Sequence, residues 1–193
     1  MNTLKQVIAV GLFSSLLVTA GIADAQQEKP FIVEGLAGAA VPTFDITDLA
    51  DPGPVFGGAV GYAWDKFLFM GEFDFGTHGG ADIEDSEGSY PDVDVLHYIA
   101  KVGYQVYQSS DEKLRIYVNL GAGALSFKAD VDDAETNTYA AINAGAKLYY
   151  MFSDAVGLVV SPQGDIAFVD EEDGFTGSTA WVWPFTAGLA LNF

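Results

Sequence analysis

The sequence predicts an all-β fold, an eight-stranded antiparallel up-and-down transmembrane β-barrel. Three observations carry the prediction. Apolar and aromatic residues recur with period two in eight separate stretches. The connections between those stretches alternate strictly, tight then long. Along each stretch the bulky apolar residues share one face, while the other face holds small residues, glycine and a few charges.

Residues 1–25 precede the first strand and read as a secretory signal peptide. Lys5 sits in a short polar head, an apolar run follows from Val7 to about Ala20, and Ala23-Asp24-Ala25 forms a small-x-small cleavage box. A membrane anchor helix would need roughly 20 uninterrupted apolar residues. Ser14, Ser15 and Thr19 interrupt this run. Cleavage after Ala25 leaves a barrel domain of residues 26–193.

The strands are expected at Phe31–Val41, Val55–Trp64, Phe67–Thr77, Val93–Tyr107, Leu114–Lys128, Asn137–Phe152, Val156–Phe168 and Gly177–Phe193. The third alternates most cleanly, with Phe67, Phe69, Phe73 and Phe75 on one face and Leu68, Met70, Glu72 and Asp74 on the other. In the fourth, Leu96, Tyr98, Ala100, Val102 and Tyr104 oppose His97, Lys101 and Gln105. In the fifth, Ile116, Val118 and Leu120 oppose Arg115, Tyr117 and Asn119. The sixth, with its alanines, also suits a helix, but Gly145 and the flanking tyrosines favour a strand. Pro162 and Pro184 each remove a ladder donor, so a local bulge is expected at each. In the last strand Trp181, Trp183, Phe185, Leu189, Leu191 and Phe193 share one face.

Three connections are tight, around Asp65-Lys66, Ser109 to Glu112, and Ser153 to Ala155. Four are long, at 42–53, 77–94, 129–136 and 169–176, and together they hold 17 acidic residues and no Lys or Arg. The net charge of −19, from 27 acidic and 8 basic residues, is therefore concentrated at one end of the molecule. Such a balance argues against a nucleic-acid partner, which needs clustered basic residues. Half the residues are hydrophobic, which argues against disorder. There is no cysteine, so stability rests on the sheet and its surroundings.

A soluble barrel of the lipocalin kind would turn its bulky face inward. Here the polar faces are too sparsely charged and too glycine-rich to cover a water-exposed surface, so they line the lumen and the bulky face meets lipid. Trp181, Trp183 and Phe193 then sit at the membrane interfaces.

From PFIVEGLAGAAV to LALNF the pattern resembles the small eight-stranded outer-membrane barrels of Gram-negative bacteria, the OmpA transmembrane domain and OmpX/Ail-like proteins. The resemblance implies a place in the cell outer membrane, contact with outer-membrane lipid and lipopolysaccharide, and a monomer. It also implies that Leu189-Ala190-Leu191-Asn192-Phe193 is the signal read by the barrel-assembly machinery.

The inward positions supply the candidate site. They are Glu34, Glu72, Asp74 and Asp165, the bases Lys101, Arg115 and Lys147, and the polar His97, Asn119, Asn143 and Gln163. Glu34, Glu72, Lys101, Asn119 and Lys147 lie at similar heights and are expected to form one layer. Eight strands leave room only for side chains, so opposite charges should pair and plug the interior. The expected role is structural or surface-interacting, with a narrow channel for ions or small solutes as the alternative. A lipid A-modifying enzyme is a third reading, since some barrels of this location resemble acyl transferases or esterases with a His, Ser and acidic constellation. His78, placed in a glycine-rich loop, and His97 have no Ser beside them at a recognisable spacing, so no catalytic residue is assigned. No cofactor or metal is expected. Asp82 to Gly88 carries carboxylates in alternation, but Gly88 is one place late for a calcium loop and no Glu closes it.

Overall fold

A computed structural model of the chain describes residues 29–43, 50–81, 89–131, 133–169 and 177–193. The leader, the segment 82–88 and most of the acidic residues of the first and last long connections lie outside these. The described residues form eight strands: β1 Phe31–Thr43, β2 Gly53–Trp64, β3 Phe67–His78, β4 Val93–Gln108, β5 Leu114–Ala129, β6 Asn137–Met151, β7 Val156–Phe168 and β8 Thr179–Asn192. Each pairs antiparallel with its sequence neighbours, and β1 pairs with β8 over twelve residues from Ile32↔Asn192 to Thr43↔Trp181. The barrel is closed. Its seam ends in reciprocal backbone bonds between Phe31 and Phe193, so the sheet presents no open edge to hydrocarbon.

The tight turns are made by residues whose side chains favour them. Asp65 in the two-residue β2–β3 hairpin has φ 53° and Glu112 has φ 58°. Asp is among the residues that enter this left-handed region most readily. In the β4–β5 turn Ser109 Oγ donates to Asp111 Oδ1 at 2.6 Å and accepts the Leu114 N–H at 3.0 Å. The hydroxyl and the Lys113 backbone N–H hold the Asp111 carboxyl below its ordinary range.

Neither proline produces a bulge. Register is continuous from Gly145↔Gln163 to Leu148↔Val160 and from Pro162↔Phe185 to Asp165↔Val182, with pairing lapsing between those points. A missing N–H removes a bond without inserting a residue, so the register has no reason to shift. The register shift lies instead in β4, between Gln105 and Tyr107, next to the turn rim. His78 also departs from expectation: it is the last residue of β3, not a loop residue, and it is buried inside the barrel.

The faces divide as the alternation requires. Outward residues form an aromatic ring at the tight-turn end (Phe31, Tyr62, Trp64, Phe67, Tyr104, Tyr107, Phe152) and another toward the long connections (Phe56, Phe73, Phe75, Tyr98, Phe168, Phe185). Between them lie aliphatics such as Val60, Val102, Val118 and Leu120, the last 70% exposed. Trp181 and Trp183 stand on the same outward face of β8, and Trp183 Nε1 donates to Thr43 Oγ1 across the seam at 2.8 Å. This is an apolar band between two aromatic girdles, the outer surface of a barrel solvated by lipid.

Candidate functional site: the charged interior

The inward faces build three levels. At the tight-turn end Ile32, Leu68, Met70, Tyr117, Tyr149, Met151 and Val159 form one apolar cluster, and at the other end Val55, Val95, Ile99, Leu125, Phe127, Tyr139 and Val182 form a second. The charged side chains lie between them.

Lys147 on β6 is fully buried and reaches across the lumen. Its ammonium stands 2.5 Å from Glu34 Oε2 on β1 and 2.7 Å from Glu72 Oε2 on β3. Glu72 Oε1 accepts from Lys101 Nζ of β4 and from Gln163 Nε2 of β7, each at 2.6 Å, and Lys101 also donates to Gln163 Oε1. A second branch runs from Gln163 through Asn143, whose Nδ2 donates to Asp165 Oδ1 at 2.6 Å, and from Asp165 Oδ2 to His97 Nδ1 at 2.8 Å. Five strands that are not all neighbours in the sheet are thereby tied together through the interior. Charges buried this deeply are tolerated only when paired and hydrogen-bonded.

The structure places Glu34, Glu72, Asp74, His97, Lys101, Asn119, Asn143, Lys147, Gln163 and Asp165 inside and buried. It does not bring all of them together. Asn119 makes no hydrogen bond through either amide atom, because its cross-strand partners are Gly103 and Gly145, which offer no side chain. Arg115 is half-buried at the tight-turn mouth, below the charged level, and its Nε has no partner within the protein. Tyr149, absent from the expected set, belongs to it: its hydroxyl donates to Glu34 Oε1. Its signal was present in sequence, two residues from Lys147 and therefore on the same face.

The architecture is an apolar band around a closed eight-stranded barrel with polar inward faces. The family model described as "Outer membrane protein beta-barrel domain" matches residues 10–193. The chain belongs to that family. It is accordingly a protein of the cell outer membrane. Solved structures agree in fold at low identity. Neisserial surface protein A is 14% identical, covering 84% of this chain and 97% of that one with a TM-score of 0.69. The outer membrane protein OprG of Pseudomonas aeruginosa is 14% identical, covering 88% and 99% with a TM-score of 0.58. The N-terminal β-barrel domain of Pseudomonas aeruginosa OprF is 16% identical, covering 87% and 100% with a TM-score of 0.54. No curated protein matches at a significant level.

Proposed function

We propose that this outer-membrane barrel is a structural and surface-interacting protein with a sealed lumen, carrying no solute traffic and no catalysis. The single observation that carries the reading is Glu72, held between Lys101 and Lys147 and closed above and below by apolar clusters. An ion crossing the barrel would have to separate these pairs in a medium of low dielectric, where charges attract far more strongly than in water. Non-catalysis is supported by the surroundings of the two histidines. His97 Nδ1 bonds Asp165, and His78 Nδ1 donates to the Asp51 carbonyl at 3.0 Å. Nε2 of each ring, the nitrogen that would take a nucleophile's proton, has no hydroxyl bonded to it among the described residues.

In this reading residues 1–25 are removed on export, Phe193 and its strand are read by the barrel-assembly machinery, and the acidic connections face outward from the cell. Their contact with lipopolysaccharide phosphates needs a bridging cation. Planar-bilayer recording of the refolded barrel in potassium chloride tests the seal. Flat current is expected, and discrete, reproducible conductance steps would replace the reading with a narrow channel.

A further inference from the structure

The outward face carries one cation that the barrel itself does not use. Of the eight Lys and Arg residues, Lys5 lies in the leader, Lys29, Lys66, Lys113 and Arg115 at the tight-turn end, and Lys101 and Lys147 inside the barrel. Only Lys128 stands at the end of the acidic connections. It is exposed, and alternation along β5 puts it on the same outward face as Leu120 and Ala122. Its cross-strand neighbour on β4 is Asp94, but that carboxylate accepts from Thr77 Oγ1 on the opposite flank at 2.8 Å. Lys128 has no ion pair among the described residues.

Its height is that of a lipid headgroup. Phe75 of the outer aromatic girdle shares an outward row with Leu96 and Ser126, and the next row outward is Thr77, Asp94 and Lys128. Aromatic girdles mark the membrane–water interface, so a side chain one row beyond stands among headgroups. Asp130 and the acidic connections lie farther out, which attracts a phosphate at the Lys128 row and repels it above.

Below Lys128 the same face is a trough. Ala124 and Ala122 of β5, flanked by Ala140 of β6 and Ala100 of β4, form its floor, and Tyr98 and Leu120 stand up beside it. The floor continues to Gly71, where an added Cβ would meet nothing within 4 Å. Six residues separate Lys128 from Ala122, about 20 Å of strand, which at a tilt of about 40° is roughly 15 Å of depth. That is half of a hydrocarbon core about 30 Å thick, the reach of one acyl chain.

We propose that Lys128 and this trough form a binding site for one phosphate-bearing lipid of the outer leaflet, the ammonium holding the phosphate directly and an acyl chain lying over the alanines. The site rests on the orientation given above, with the acidic connections outside the cell. Contact through those connections needs a divalent cation to join two negative surfaces, and contact at Lys128 does not. The Ser126–Thr138 hydroxyl pair, joined at 2.7 Å one row below Lys128, is a polar step between headgroup and chain. A second copy of this chain fits the trough less well, since a two-fold contact there would set Lys128 and its acidic rim against their own duplicates.

The test is native mass spectrometry of the refolded barrel in detergent with EDTA, against bis-phosphorylated lipid A and against the same lipid stripped of its phosphates. The native barrel is expected to retain the phosphorylated lipid and to hold the stripped one about tenfold more weakly, the worth of a charge-assisted hydrogen bond. Lys128→Gln should weaken the phosphorylated lipid by the same factor, and Lys128→Arg should restore it. Ala122→Leu, which fills the trough, should weaken both lipids. Ala187→Leu, which adds the same bulk to the outward face of β8, should weaken neither. Equal affinity for the two lipids, no change in Lys128→Gln, or equal loss in the two leucine variants would overturn the proposal. So would binding that EDTA abolishes, or a lipid-free dimer in place of the complex. Heat modifiability on a gel reports which variants fold, and the lysine variants, altered only at an exposed side chain, decide the matter if Ala122→Leu does not. Labelling of Asp130→Cys on intact cells with an impermeant maleimide reads the orientation by itself, and conductance enters no readout. Failure of the orientation or of the sealed lumen is thus told apart from failure of the lipid site.

Discussion

The two faces of β3 sit on one backbone and obey different rules. Phe67, Phe69, Phe73 and Phe75 point outward, are all well exposed, and find at most ring contacts with neighbours such as Tyr104 and Tyr98. Leu68, Met70, Glu72 and Asp74 point inward and are all buried. The outer face is chosen for its solvent: any apolar side chain of suitable size meets lipid equally well. The inner face is chosen for its partners. Glu72 is useful only because Lys101, Lys147 and Gln163 arrive from three other strands at the same height. Tolerance should therefore be broad outside and narrow inside, except where the outside is given a charge.

The largest effect should come from cutting the inner network at its centre. Lys147→Met keeps the length of the side chain but strips Glu34 of its ion pair and Glu72 of one of two. Breaking a buried pair by removing one partner costs about 3–5 kcal/mol. The urea midpoint of the folded, heat-modifiable form should drop accordingly. Adding Glu34→Gln to the same chain should recover part of the loss, since the stranded charge is then gone. Full additivity of the two changes would mean that the pair is not a unit.

Next is the outer face given the wrong chemistry. Leu120, midway along β5 and paired with Val102 and Ala144, stands near the middle of the apolar band. Leu120→Arg should cost roughly 2–4 kcal/mol, the range for a cation at the midplane of a lipid-facing strand. Leu120→Val should be nearly silent. If the arginine were as silent, that face would not be in lipid.

These contrasts also explain what was legible in the sequence. The strands and their faces were legible because alternation has period two and every strand repeats it. The partners were not, because they depend on which strand brings which residue to a given height. Asn119 shared a face and a height with the charged layer, yet glycines on both flanking strands leave it without a bond. In the sequence Tyr149 stands out only as a flank of a strand, although its hydroxyl closes Glu34. Prolines mark lost donors, and whether a lost donor becomes a bulge is decided by the neighbouring strands, which here hold register through Pro162 and Pro184.

A smaller effect is expected at the seam. Thr43→Val keeps shape but removes the acceptor of the Trp183 indole N–H. The loss should be about 1 kcal/mol, the net worth of one hydrogen bond. It should appear as a modest midpoint shift with unchanged folding yield.

The smallest effect belongs to the β4–β5 turn, which lies outside both faces. Ser109 Oγ donates to the Asp111 carboxylate and accepts from Leu114 N–H. That donated bond, with the Lys113 N–H behind it, is why the Asp111 carboxyl is held below its ordinary range. A carboxyl depressed in the folded state adds stability above its unfolded value, about pH 3.9, and loses it as pH falls through the lower folded value. Ser109→Ala removes the first cause and should flatten this acid-side loss by lowering the midpoint at pH 7 more than at pH 3, both shifts being small because Asp111 is fully exposed and screened by water. Urea titrations at pH 3 and pH 7 would show it as a smaller difference between the two pH values in the variant. A difference as large as in the native protein would mean that the turn hydroxyl does not set the Asp111 proton affinity, and that the acid sensitivity comes from the interior carboxylates instead.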